Sequence, residues 1–153
     1  MATKFYLCTT CGNVVVKVED SGIDVVCCGS EMSELKPQHQ DAVKEKHLPV
    51  VDITEDGKVR VKIGSEAHPM IKEHHISFVY LETEHGGMIQ YLSPGQPAEV
   101  FFGKGVDKPV AVYAYCNIHG LWEKDLRGVC EREKPEEQDG EGKCKSKRWC
   151  CKR

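Results

Sequence analysis

Residues 76–92 read ISFVYLETEHGGMIQYL. β-Branched and aromatic residues crowd Ile76 to Glu82, a second apolar run covers Met88 to Leu92, and His85-Gly86-Gly87 between them supplies residues tolerant of positive φ. That pattern predicts a β-hairpin. Runs of the same kind lie on both sides: Leu48 to Ile53, Lys58 to Ile63, Glu99 to Phe102 and Val110 to Tyr115, with Glu55-Asp56-Gly57 and Ser93-Pro94-Gly95 as breakers between them. No helix of ordinary length is evident, and closely spaced strands with frequent turns predict an all-β sandwich or barrel.

At 153 residues the chain has room for one ordinary domain and a small appended module. A formal net charge of −3 provides no basic field for nucleic acid, and no apolar run reaches the ~18 residues of a membrane span, so a soluble protein is expected. MATKFYLCTTCG at the N-terminus has none of the features of an export signal, so a reducing cytoplasm is expected for the nine cysteines. Thiols there point to metal. The odd count and the CxxC pair also argue against a pure disulfide framework, although a few bridges would form in an oxidising compartment.

Three segments follow from composition: 1–36, 37–125 and 126–153. In the first, Val14 to Val18 and Ile23 to Val26 flank the turn-like Glu19-Asp20-Ser21-Gly22 and read as a hairpin. Cys8 and Cys11, then 15 intervening residues, then the adjacent pair Cys27 and Cys28, offer four thiolates for one tetrahedral site. Zinc and iron both suit that spacing; the adjacent pair, which strains the chelate, leans toward a redox iron. So small a module buries little apolar surface, and metal binding is expected to contribute much of its folding free energy.

The second segment carries a mixed donor set. Cys116-Asn117-Ile118-His119 puts a thiolate and an imidazole three residues apart in a turn at a strand end. His68 lies in the connection AHPM, His74 follows it by six positions, and His47 opens the first strand of this segment. A histidine taken singly is more often a surface or core residue than a ligand; four of them with CNIH are harder to dismiss. Four neutral imidazoles and one thiolate would leave a ferrous ion a net charge of about plus one and one open octahedral position, suited to small anionic oxidants.

From Phe5 to about Trp122 these motifs resemble the desulfoferrodoxin-type superoxide reductases. CxxC with a later CC resembles that family's rubredoxin-like iron module. EKH, HPM with its second histidine, and CNxHG resemble its catalytic iron site. The resemblance implies a small desulforedoxin-like module followed by an immunoglobulin-like β-sandwich, paired as a homodimer, with two irons, superoxide as substrate and a small electron carrier such as rubredoxin as donor.

Residue by residue, it implies equatorial nitrogen ligands at His47, His68, His74 and His119, an axial thiolate at Cys116, and the other iron on Cys8, Cys11, Cys27 and Cys28. His75 falls where the family often has an aromatic; with His39 and His85 it is read as a surface or supporting residue. Superoxide needs one electron and two protons to become hydrogen peroxide. Lys46 is expected to attract the anion and organise a proton-donating water, as a compact charge with three donors. Glu45 resembles the carboxylate that covers the iron once oxidised.

Cys130, Cys144, Cys150 and Cys151 in the tail have no counterpart in the family pattern. A mobile tail with reduced or adventitiously linked thiols, disulfides tying the tail down, and a third four-thiolate site all remain open. Two functional readings compete with the reductase: a pure iron electron-transfer protein, and a zinc-stabilised binding module without redox activity.

Overall fold

The structure, a computed structural model, describes residues 3–39, 46–54, 58–103 and 107–127. Glu45, the turn at 55–57 and the four tail cysteines lie outside the described residues. Among these residues there are twelve strands and no helix: β1 (Lys4–Leu7), β2 (Val14–Lys17), β3 (Val26–Cys27), β4 (Ser30–Glu31), β5 (Ser33–Glu34), β6 (Pro49–Ile53), β7 (Val59–Ile63), β8 (Ile76–Thr83), β9 (Gly86–Tyr91), β10 (Glu99–Phe102), β11 (Pro109–Cys116) and β12 (Gly120–Asp125). The chain divides between Gln38 and His39 into two compact units.

In the smaller unit β1 pairs antiparallel with both β2 and β5, and β3 pairs with β4 in a separate hairpin. The expected hairpin between Val14–Val18 and Ile23–Val26 is therefore not formed. β1 takes the ladder of β2, and the intervening loop is pinned by charge instead: Lys17 Nζ donates to the Ile23 carbonyl at 2.8 Å and to Asp20 Oδ1 at 2.5 Å, while Lys4 Nζ reaches Asp20 Oδ2 at 3.0 Å. Phe5, Cys8 and Met32 are the buried side chains of this unit. That is a small apolar core for a unit of this length.

The larger unit is a sandwich of a three-stranded sheet, order β10-β7-β6, and a four-stranded sheet, order β12-β11-β8-β9. β7 shows the simplest alternation: Val59, Val61 and Ile63 point into the core, while Arg60 and Lys62 point out, Arg60 pairing with Glu99 across the ladder to β10. Facing them in the core are Ile76, Val79 and Leu81 of β8 and Val112, Ala114 and Cys116 of β11. β11 and β8 slip register between Tyr115 and Cys116, so that Cys116 lies opposite Ile76. This bulge brings Ile76 onto the core face beside the cysteine.

Strand order and register place five strand ends together. The start of β6 pairs with the end of β7, and the start of β8 and the start of β12 flank the end of β11. The β8–β9 hairpin forms as expected, but on a different turn: Thr83 lies opposite Gly86, so Glu84 and His85 make the connection, and Gly86 and Gly87 belong to β9 without positive φ. The Tyr80 ring explains the small residue at 87. A Cβ there would collide with Tyr80 Oη.

Candidate metal centres

Each histidine read from the sequence as a ligand sits on that common end. His47 lies two residues before β6 rather than opening it, His68 follows β7, His74 precedes β8, Cys116 ends β11 and His119 stands in the three-residue loop before β12. Gly120 closes that loop at φ +78°, a conformation in which a side chain would be strained.

The four imidazoles form a near-square. Neighbouring ring centroids are 4.9 Å apart for His47–His68, 4.6 Å for His68–His74, 4.8 Å for His74–His119 and 4.6 Å for His119–His47, each pair within about 20° of perpendicular. The His47–His74 diagonal is 6.2 Å. One donor atom from each ring and the Cys116 sulfur all lie within 4.8 Å of one another. Cys116, His47 and His68 are buried, whereas His119 is exposed, so the cluster opens to solvent on the side of the CNIH loop.

Two of the nitrogens that face inward, His68 Nε2 and His74 Nε2, have no hydrogen-bond partner. His68 Nδ1 is 2.6 Å from the Pro69 carbonyl, which only accepts, so Nδ1 carries the proton and the Nε2 lone pair points into the cluster, buried and without a hydrogen bond. His74 Nε2 is likewise buried and unpartnered. His47 Nε2 and His119 Nδ1 face each other at 2.9 Å, and Cys116 Sγ lies 3.5 Å from the same His119 nitrogen. Inward lone pairs on four imidazoles and a sulfur fit a cation and little else.

Burial, followed by repulsion from the neighbouring rings, disfavours the charged forms of His68 and His74. His68 is pushed down to about 4, chiefly by desolvation and against the pull of its bond to Pro69. His74 is lowered for the same first reason, then by His119 and His47. Ligands that stay unprotonated in mild acid do not compete with a metal for protons.

The four-thiolate set comes from two hairpin turns. Cys8 and Cys11 bracket the β1–β2 turn, where Gly12 N–H donates to the Cys8 carbonyl at 2.8 Å. Cys27 and Cys28 occupy the β3–β4 turn: Cys27 lies opposite Ser30, and the two central residues, Cys28 at φ +52° and Gly29 at φ +78°, are both left-handed. That is a type I′ turn, and it explains the adjacent pair: the turn swings the second side chain back toward the first. Cys11 and Cys27 sulfurs are 3.6 Å apart and Cys27 and Cys28 sulfurs 3.9 Å, with no disulfide among them. Cys8 is drawn down to about 6, mainly by the Cys11 backbone N–H, while Cys28 is pushed up to about 12 by the sulfurs of Cys11, Cys27 and Cys8. Cys8 thus forms a thiolate readily, while Cys27, also raised, and Cys28 hold their protons against its charge, protons that a metal ion would displace.

Lys46 Nζ is 4.0 Å from Glu66 Oε2, both exposed. Exposed His39 lies 3.9 Å from Oε2 of the buried Glu123, and His85 pairs with Asp107 at 2.5 Å. His75 packs beside the centre, with Nδ1 buried and unpartnered. Three contributors were missed in the sequence: Trp122, stacked on His47; Glu66, beside the lysine; and Asn117, whose amide reaches the loop of His74. Only Asn117 had a signal, its place inside CNIH.

Fold and donor sets together define a metal-binding β protein with two candidate centres, one all-sulfur and one of four imidazoles and a thiolate. Residues 39–125 match the desulfoferrodoxin domain and residues 2–35 the desulfoferrodoxin N-terminal domain. The chain belongs to the desulfoferrodoxin family. It is 42% identical to the desulfoferrodoxin of Syntrophotalea carbinolica over 120 residues, covering 78% of this chain and 94% of that protein. It is 39% identical to that of Nitratidesulfovibrio vulgaris over 122 residues, covering 80% and 95%. The crystal structure of the superoxide reductase from Treponema pallidum superposes with a TM-score of 0.70 at 30% identity, covering 81% of this chain and 98% of that one.

Proposed function

We propose that this chain is a superoxide reductase, reducing superoxide to hydrogen peroxide with one electron and two protons and without producing oxygen. The observation that carries this reading is the convergence of His47, His68, His74, His119 and Cys116 on one point open to solvent. Iron held there would supply the electron to an anion reaching the position that five protein donors leave free.

The chain's own residues do the rest. Cys116, buried at the end of β11, sets the electron-donating character of the centre from the core side. Lys46, exposed next to His47, raises the local concentration of the anion and orders a water that can give up a proton. Glu45 stays assigned to covering the oxidised metal. Cys8, Cys11, Cys27 and Cys28 would hold a second iron, and the reading includes a homodimer in the cytoplasm served by a carrier such as rubredoxin.

Pulse radiolysis of the reduced, iron-loaded chain tests the activity, and metal quantification tests the stoichiometry, with two irons and no zinc per chain expected. Cys116→Ser should abolish the thiolate-to-iron charge-transfer band. An iron-loaded protein whose reduced form ignores superoxide would leave an electron-transfer protein; zinc in both centres would leave a binding module.

A further inference from the structure

The loop that carries His74 and the turn that carries Cys116 and His119 are joined through one side chain. The His75 N–H donates to Asn117 Oδ1 at 2.8 Å, Asn117 Nδ2 donates to the Glu73 carbonyl at 2.9 Å, and the Asn117 N–H donates to the His75 carbonyl at 3.1 Å. These bonds grip the peptide on both sides of His74. They reach main-chain atoms only, so they are indifferent to the side chains at 73 and 75. His74 is further held within its own loop, where it exchanges two backbone hydrogen bonds with Ile71 at 3.0 and 3.1 Å. The loop therefore moves as one piece, and Asn117 decides where that piece sits relative to Cys116 and His119.

We infer that Asn117 is the positioning residue of the His4Cys centre, setting the distance between His74 and the Cys116–His119 pair and with it the retention and electronic character of the bound iron. The inference rests on the superoxide reductase reading only in taking iron as the metal. Asn117 is exposed, so its bonds compete with water and add little to the sandwich itself, whose core lies elsewhere. Their leverage falls on the metal, because ligand orientation is what supporting hydrogen bonds control.

The test uses the full iron-loaded chain and two readouts that are independent of turnover: the rate of iron loss to excess ferrous chelator, and the position and strength of the thiolate-to-iron charge-transfer band after oxidation. Asn117→Ala removes both side-chain bonds and should speed iron loss from this centre by about 10-fold or more, with a displaced or weakened band. Asn117→Asp keeps the acceptor for the His75 N–H but loses the donor to Glu73, and should fall between. Val61→Ala, in the core far along β7, serves as the control: it should lower the melting temperature and leave the band in place. Asn117 variants that lose iron at the parent rate with an unmoved band overturn the inference. A parent protein showing no such band would instead overturn the metal assignment beneath it.

Discussion

The indole of Trp122 lies stacked on the imidazole of His47, ring centroids 4.8 Å apart and planes 16° from parallel. Trp122 belongs to β12 and His47 to the connection before β6, so the stack ties a candidate ligand to the opposite sheet. The indole is 4% exposed and its Nε1 has no hydrogen-bond partner. A buried donor without an acceptor is a cost that the stack and the burial outweigh.

Trp122→Phe keeps an aromatic face on His47 and removes the unpaired donor, so urea denaturation of the metal-free protein should find it within about 1 kcal/mol of the parent. Trp122→Ala should lose about 3–5 kcal/mol. Equal stability of the two variants would show that the ring does not support His47.

Acid should weaken the metal-free sandwich well above the carboxylate range. The unfolded chain protonates its histidines near the ordinary value of 6.5, whereas folded His68 resists down to about 4 and folded His74 is also lowered. Between those values the unfolded state binds more protons, so stability drops as pH falls from about 7 and levels off once His68 is charged in both states. Melting temperatures of the apoprotein at pH 7, 6 and 5 should decline in that order; a flat profile would contradict the burial of these rings.

In the smaller unit, Cys28→Asn should keep the hairpin and lose the metal. Asparagine followed by glycine is the preferred pair for a type I′ turn, so the left-handed backbone at 28 would be relieved by roughly 1 kcal/mol in the apoprotein. Metal content should fall by one atom per chain while the absorption of the His4Cys centre persists. Retention of both metals would remove Cys28 from the ligand set.

Electrostatic attraction should be separable from metal binding. Lys46→Ala is expected to slow the reaction with superoxide by about tenfold and flatten its salt dependence with iron content unchanged. Glu66→Gln, which frees Lys46 of the carboxylate 4.0 Å away, should speed it by at most about twofold. Stopped-flow or pulse-radiolysis rates at two ionic strengths decide both.

Much of the sandwich was legible because its strands alternate. β7 shows its inward valines and outward Arg60 and Lys62 in the plain sequence, and β10 begins and ends where composition changes. β12 was not legible: GLWEKD does not alternate, and Glu123 is buried by its position beside β11, not by its chemistry. The misread pairing of Val14–Val18 with Ile23–Val26 has a related cause. Two β-branched runs flanking a turn look alike whether they meet each other or other partners, and here β1, a run of four residues led by a lysine, took the ladder.

The sequence, through its spacings and its family resemblance, determined which atoms could bind metal: thiols at 8, 11, 27 and 28, imidazoles at 47, 68, 74 and 119, and the sulfur of Cys116. Donor chemistry is a property of the side chain and needs no fold. Whether those donors meet was decided by tertiary structure alone, because His47 and His119 are 72 positions apart yet face each other at 2.9 Å. Strand register across two sheets and the bulge between Tyr115 and Cys116 set that distance, and each depends on contacts between segments that sequence spacing does not encode.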